Sequence, residues 1–174
     1  KSHILSPEEK IVAAYHEAGH ALVATSLSHS DPVHKVSIIA RGHAAGYTLK
    51  LPSEDRHMYT RSHFLDEMAA ALGGYAAEKL IFGELTTGPS DDLQKVVAVA
   101  RSLVMRFGMS DKIGPVVLGE REEMVFLGRE LTSERNYSEE TARVIDEEVK
   151  HLIDNAYTRA REVLTLRRKK LDAI

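Results

Sequence analysis

Cysteine is absent from this chain of 174 residues, which narrows the metal chemistry open to it. Disulfide bonds and cysteine-ligated zinc sites are excluded, so any metal ion must be held by histidine and carboxylate side chains. Long apolar runs are absent too, because no stretch approaches the roughly 18 residues that a membrane-spanning helix needs. The phosphate-binding pattern Gly-x-x-x-x-Gly-Lys-Ser/Thr does not occur, so the sequence carries no nucleotide site of that kind.

Strong charge of either sign is also lacking. The formal net charge is −3, which gives no reason to expect nucleic acid or a membrane surface as a partner. The hydrophobic content of 43% and the charged content of 28% are ordinary for a soluble globular protein, and the length predicts a single domain, residues 1–174. The N-terminus does not resemble a signal peptide. The first residue is Lys1 rather than Met, so we expect a fragment of a longer protein.

The most informative pattern present is His16-Glu17-Ala18-Gly19-His20, which reads H-E-x-x-H. Four residues of helix advance by roughly 400°, so the two imidazoles project from nearly the same face, one turn apart. Two histidines placed in this way can bind one zinc ion, and the glutamate between them can reach a water molecule there. A capping box, Ser6-Pro7-Glu8-Glu9, opens the helix just upstream. The pattern makes hydrolysis of peptide bonds the leading hypothesis.

A catalytic zinc site normally has three protein ligands, so the two histidines need a further partner. The extended motif that adds a glycine and a third histidine on the same segment is excluded, since Val23 and Ser26 occupy those positions. The candidates are carboxylates on two later predicted helices: Asp66, Glu67, Glu78, Asp91 and Asp92. The last two lie in the first turn of a helix, where acidic residues also complement the helix dipole, so a purely structural role is the alternative for them.

The periodicity of the apolar residues predicts a mainly α fold with a small β-sheet, in which the H-E-x-x-H motif lies on the first helix. We expect that helix at about residues 7–28, two antiparallel strands at 33–39 and 47–51, and a second helix at 61–82. Gly73-Gly74 lies inside the second helix and indicates the close approach of a neighbouring helix. Ser90 is expected to cap a helix that ends near residue 107, and Ser138 to begin the last long helix. Residues 113–127 favour a hairpin or, almost equally, an irregular loop.

The chain resembles the peptidase domain of the FtsH family of membrane-anchored AAA proteases. The matching stretches occur in the family's order and cover most of residues 5–127. They are the motif with Ala21, residues 32–42 (PVHKVSIIARG), Leu51-Pro52 with Glu54-Asp55-Arg56, residues 73–78 (GGYAAE), and Thr86-Thr87-Gly88 followed by Asp92-Leu93. The last helix fits the family by position and helical character only.

The resemblance implies a zinc-dependent endopeptidase that binds one Zn²⁺ per chain. In the family's Thr-Thr-Gly pattern the third ligand is the last aspartate before a hydrophobic residue, which is Asp92 before Leu93 here. Pro89 and Asp91 depart from that pattern, so the assignment depends on the place of Asp92 directly before Leu93. The expected metal ligands are thus His16, His20 and Asp92, and Glu17 is the expected general base.

The resemblance also implies where substrate binds and what the parent protein is. Residues 42–51 match an edge strand on which an extended, unfolded polypeptide pairs by β-augmentation, although an ordinary hairpin is the alternative. Glu78 is expected either to support a ligating histidine or to be a surface carboxylate paired with Lys or Arg. The parent would be a homo-hexamer in the plasma or inner membrane, or the equivalent organelle membrane, with this domain on the cytoplasmic side. ATP would act only through a missing N-terminal module.

Two alternatives come from other functional classes. One is a catalytically silent, peptidase-like domain that serves as an oligomerisation scaffold, and the other is a metal-binding module without chemistry. Glu17 argues against the scaffold, since a scaffold has no need of the base. Replacing that glutamate by glutamine separates these alternatives from the enzyme.

Overall fold

The computed structural model describes residues 5–39, 46–51, 57–119 and 135–174, and the expected mainly α fold with a small sheet is confirmed. The helices and strands, in chain order, are α1 (Pro7–Ser26), β1 (Val33–Ser37), β2 (Tyr47–Lys50), α2 (Arg61–Ala71), α3 (Gly73–Phe82), α4 (Ser90–Met105), α5 (Glu139–Leu166) and α6 (Arg168–Ala173). Within these ranges, no helix combines the length and the apolar character that crossing a bilayer requires.

Helix α1 begins at the capping box that the sequence predicts. The Glu9 amide donates to Ser6 Oγ at 3.2 Å, and the Ser6 amide donates to Glu9 Oε2 at 2.7 Å, so both exposed backbone donors find acceptors. The helix ends at Ser26, two residues before the expected end. It contacts α2, α3, α5, α6 and both strands, which makes it the central element of the domain.

The helix expected at 61–82 is two consecutive helices, α2 and α3, and the prediction of one continuous helix is wrong. The break falls at Leu72, which has φ −84° and ψ 0° and caps both helices. Gly73 and Gly74 follow Leu72 directly, and glycine weakens a helix because it loses more backbone freedom than other residues on folding. The expected close approach is confirmed: a Cβ atom on Gly19 of α1 would lie 2.3 Å from the carbonyl oxygen of Gly73.

The two strands form an antiparallel sheet, as expected, with Val36 opposite Thr48 and an irregularity between Val33 and Lys35. Strand β1 ends two residues before the expected end, and β2 ends one residue before it. The Leu51 amide donates to the Pro32 carbonyl oxygen at 3.1 Å, which continues the pairing beyond β2. In the described part of the chain, β2 pairs only with β1, so its other edge has no strand partner.

Ser90 is the first residue of α4 rather than its cap, which corrects the expected start. Pro89 occupies the cap position without a side-chain hydrogen bond, and the Ser90 amide already donates to the Thr87 carbonyl oxygen at 3.1 Å. The turn that precedes the helix therefore satisfies one of the first amides of α4, which have no acceptor within the helix. The helix ends at Met105, two residues before the expected end, and Gly108 follows with φ 60°.

The segment after α4 has no strand at 113–119, and the rest of the expected hairpin, 120–127, lies outside the described residues. Helix α5 begins after Ser138, whose side chain accepts from the Thr141 amide. It then ends at Leu166, and the exposed basic residues 167–170 belong to its cap and to α6. The buried apolar face of α5 packs against α2, α3 and α4, and it comprises Ile145, Val149, Leu152, Ala156, Ala160 and Leu164.

Candidate metal centre

The two histidines of α1 face one point with their Nε2 atoms, which lie 3.0 Å apart. On the far side of each ring, Nδ1 contacts an oxygen: Glu78 Oε1 for His16 and the Ala70 carbonyl for His20, both at 2.8 Å. A backbone carbonyl and a carboxylate accept hydrogen bonds, so each Nδ1 carries the proton. Both Nε2 atoms are therefore directed at the same small volume, which is the arrangement that metal-binding histidines need.

Asp92 completes the group from the first turn of α4. Its Oδ2 atom lies 3.3 Å from His16 Nε2 and 3.2 Å from His20 Nε2. Ligand atoms bound at about 2.0–2.1 Å around a tetrahedral zinc ion lie about 3.3 Å from one another. The three side chains thus form a triangle of acceptor atoms with the spacing of a zinc site and with an open fourth direction.

The electrostatics of this group favour a positive charge at its centre. Burial would lower the pKa of His16, but hydrogen bonds with Asp92 and Glu78 outweigh burial and raise that pKa above its ordinary value. Burial would raise the pKa of Asp92, but its bonds to His16 and His20 outweigh burial and hold the pKa well below the usual range. The nearby carboxylates stabilise a positive charge at this place, whether it is a proton or a metal cation. The three side chains therefore fit a divalent ion.

A second group with possible ligand atoms consists of Asp31, His63 and Glu67. Its chemistry is different, because the Glu67 carboxylate already pairs with the Lys50 ammonium group. The Nδ1 atom of His63 is also engaged, at 2.8 Å from the carbonyl oxygen of His29. Since a cation already neutralises its glutamate, this group fits a metal less well than the group on α1 and α4.

Glu78 is buried, with only 1% of its surface exposed, and contacts His16 rather than a surface cation. Its second oxygen accepts from the Thr86 amide at 2.8 Å and from the Thr86 hydroxyl at 3.0 Å. Gly74, on the same helix, lets the backbone approach the ring: a Cβ atom there would lie 2.5 Å from His16 Nε2. Glu78 and Gly74 together hold the imidazole in one orientation.

The other predicted third ligands lie elsewhere. Asp66 accepts from the His29 amide at 2.9 Å and from Arg159 Nη2 at 2.6 Å, and these partners keep its pKa below the usual value in spite of burial. Glu67 faces Lys50, and Asp91 is exposed on α4. The structure therefore brings only Asp92 to the two histidines among the predicted third ligands, apart from Glu78 behind the ring of His16.

Glu17 lies beside the histidines and lines the same cleft, which has a volume of about 1110 Å³ and includes His16, His20 and Asp92. It is buried, and its Oε2 atom accepts a hydrogen bond from the Thr48 hydroxyl at 2.7 Å. The start of β2 thus forms one wall of the cleft. Of the segment expected to bind substrate, residues 46–51 are described and 42–45 lie outside the described residues.

Three of the polar contacts in this site could not be predicted from the sequence. The Ala70 carbonyl leaves no signal in the sequence, since any residue supplies the same oxygen. The Thr48 hydroxyl and the Thr86 hydroxyl lie in stretches that the family resemblance covers, but neither pattern indicates which side chain they contact. Part of the role of Gly74 could be predicted, because a glycine pair inside a helix indicates a tight contact with a neighbouring element.

An H-E-x-x-H helix completed by a carboxylate from another helix is typical of zinc metallopeptidases. The comparison with known families supports the same class of enzyme. The sequence pattern that describes Peptidase family M41 matches residues 3–174, and the chain belongs to this family of metalloendopeptidases. The expected FtsH-type peptidase domain and the expected enzyme class are confirmed.

Three curated relatives show the extent of the similarity. The chain is 52% identical over 174 residues to ATP-dependent zinc metalloprotease FtsH 1 of Sphaerobacter thermophilus, covering 100% of the chain and 27% of the relative. It is 52% identical over 175 residues to ATP-dependent zinc metalloprotease FtsH of Pseudothermotoga lettingae, covering 100% and 28%. It is 50% identical over 175 residues to ATP-dependent zinc metalloprotease FtsH of Thermotoga maritima, covering 100% and 29%. The chain therefore spans less than a third of the length of these relatives.

Proposed function

We propose that this chain is the zinc-dependent endopeptidase domain of an ATP-dependent, membrane-anchored FtsH-like protease, with one Zn²⁺ per chain held by His16, His20 and Asp92. The observation that carries the proposal is the triangle of acceptor atoms, 3.0–3.3 Å on each side. Both histidine rings are held by acceptors behind them, so the ligands are oriented for the ion before it binds. A zinc ion there supplies Lewis acidity, which polarises a carbonyl group and lowers the pKa of water towards about 7.

Glu17 is the general base in this proposal. It follows His16 on α1 and lines the cleft that contains the three ligands, while it is not itself one of the grouped ligand atoms. Its carboxylate accepts the proton of the attacking water and delivers it to the leaving amine. A carboxylate that only bound metal, or only stabilised the fold, would not need this place in an open cleft.

The substrate is an extended polypeptide that pairs with the edge of β2 that faces away from β1, which has no strand partner among the described residues. Backbone groups alternate in direction along a strand, and the Leu51 amide points to β1, so the backbone groups of Thr48 and Lys50 point to the other edge. That edge borders the cleft beside Glu17. Backbone pairing reads little of the substrate's side chains, which suits broad specificity towards unfolded proteins.

The parent protein in this proposal is a homo-hexamer that degrades unfolded or misassembled membrane and soluble proteins. The support is the similarity to proteins named ATP-dependent zinc metalloprotease FtsH, of whose length the chain spans less than a third. The ATPase module and the membrane segments belong to the remaining length. This domain lies on the cytoplasmic side of the membrane, or on the equivalent side in an organelle.

Replacing Glu17 by Gln tests the proposed mechanism. The variant keeps the size of the side chain and leaves the three ligands in place, so it is expected to bind zinc as the wild type does. Cleavage of an unfolded protein such as casein is expected to fall by about 10²–10⁴-fold, the usual contribution of a general base. Glu162→Gln, on the exposed face of α5, is the matched control and is expected to cleave normally. Full cleavage by the Glu17 variant contradicts the mechanism, and a zinc-loaded wild type that cleaves nothing favours the silent scaffold.

A further inference from the structure

The carboxylate of Glu17 is held from one side by strand β2. Only 6% of the Glu17 surface is exposed, and a buried carboxylate needs hydrogen-bond donors. The Thr48 hydroxyl lies 2.7 Å from Oε2 and 3.2 Å from the backbone carbonyl oxygen of the same residue. The hydroxyl has one hydrogen to donate, and the shorter contact, to a charged acceptor, is the stronger one. Thr48 therefore donates to the carboxylate.

Gly46, the residue directly before β2, confines Glu17 at a second point. A Cβ atom on Gly46 would lie 2.8 Å from Glu17 Cγ and 3.0 Å from Glu17 Oε1, so only glycine leaves room for the side chain. Residues two apart on a strand face the same side, which places the Gly46 position and the Thr48 side chain together against α1. Glu17 thus lies in a slot that β2 forms around it.

We propose that Thr48 is a positioning residue for Glu17: its hydroxyl holds Oε2, so that Oε1 is the oxygen that takes the proton in the cleft. The inference depends on the proposed function, because it assigns the geometry of the base in that reaction. The backbone of Thr48 faces the edge of β2 that points away from β1, where substrate pairs, while its side chain faces Glu17. One residue therefore binds substrate through its backbone and orients the base through its hydroxyl.

Because Thr48 has these two roles, its hydroxyl should affect kcat and not KM. A general loss of structure would not separate the two constants in this way. Thr48→Val removes the hydroxyl, retains the backbone groups and keeps nearly the same volume. We expect kcat for an unstructured peptide substrate to fall by about 10- to 100-fold, since small displacements of a reacting group cost factors of this order. KM is expected to change by less than about threefold, because the backbone that binds substrate is unchanged.

Two further variants complete the kinetic experiment. Thr48→Ser restores the hydroxyl and is expected to recover kcat to within about threefold of the wild type. Thr165→Val is the matched control, since that hydroxyl bonds only to the Arg161 carbonyl on the exposed face of α5. Unchanged kcat in Thr48→Val overturns the inference, as does a loss of kcat that serine does not restore.

Crystal structures of the wild type and Thr48→Val supply a readout besides activity. Glu17 is expected to occupy one conformation in the wild type and a different conformation, or more than one, in the valine variant. An unmoved Glu17 overturns the inference. If the wild type cleaves and Glu17→Gln does not, the proposed function stands whatever the Thr48 variants do. If the proposed function fails, the crystal structures still decide whether Thr48 orients this carboxylate.

Discussion

Replacing Glu78 by Gln should weaken zinc binding without removing a ligand. The Glu78 carboxylate accepts three hydrogen bonds, from His16 Nδ1 at 2.8 Å, from the Thr86 amide at 2.8 Å and from the Thr86 hydroxyl at 3.0 Å. An amide has one acceptor oxygen and a donor NH₂ group, so either the imidazole or the Thr86 amide then faces a donor. The ring loses its anionic partner, and its Nε2 atom becomes less basic and less well oriented.

Loss of such a supporting hydrogen bond usually lowers metal affinity by about 10–100-fold, which corresponds to about 1.4–2.7 kcal/mol. The assay is competition for zinc with a chromophoric chelator at constant pH. Glu84→Gln is the matched control, because that glutamate is exposed just after α3, and we expect its dissociation constant to equal that of the wild type. Equal affinities of Glu78→Gln and the wild type would refute the argument that Glu78 orients His16.

Two further predictions concern the stability of the fold. Gly19→Ala is expected to lower the free energy of unfolding by about 1–3 kcal/mol, because its Cβ atom would overlap the Gly73 carbonyl oxygen. Gly119→Ala is the control for urea denaturation, because a Cβ atom there would contact none of the described residues. Asp66→Asn is expected to cost about 1–3 kcal/mol at pH 7, since the buried carboxylate bonds to Arg159. The folded pKa of Asp66 lies below its unfolded value of about 3.9, so its stabilisation is complete above that pH and disappears as the pH falls through the folded pKa. The difference in the free energy of unfolding between wild type and Asp66→Asn should therefore narrow in acid. A difference independent of pH would contradict a stabilising role of the ionised Asp66 carboxylate.

The parts of the site that depend on local geometry could be predicted from the sequence. The capping box at Ser6 and the spacing of His16 and His20 act within one or two turns of a single helix, and the structure shows both as expected. The break at Leu72 was not predicted, because the apolar residues keep their helical spacing on both sides of it. The glycine pair that follows indicated only the close approach of another helix.

The choice between Asp91 and Asp92 could not be made from local sequence either. Both residues lie in the first turn of α4 and point about 100° apart, so either could serve on local grounds. Only the packing of α4 against α2 and α5 brings its first turn to α1 and directs Asp92 to the histidines. The contact of Thr48 with Glu17 also joins distant elements, and no pattern along the chain indicates where β2 will lie relative to α1.

The metal content of three purified proteins tests the central claim most directly. After dialysis against metal-free buffer, elemental analysis is expected to find one zinc ion per chain in the wild type. Asp91→Ala should retain that zinc, because its side chain is exposed on α4, whereas Asp92→Ala should lose it, because its carboxylate contacts both histidines. Zinc retained in Asp92→Ala and lost in Asp91→Ala would contradict the proposed metal centre.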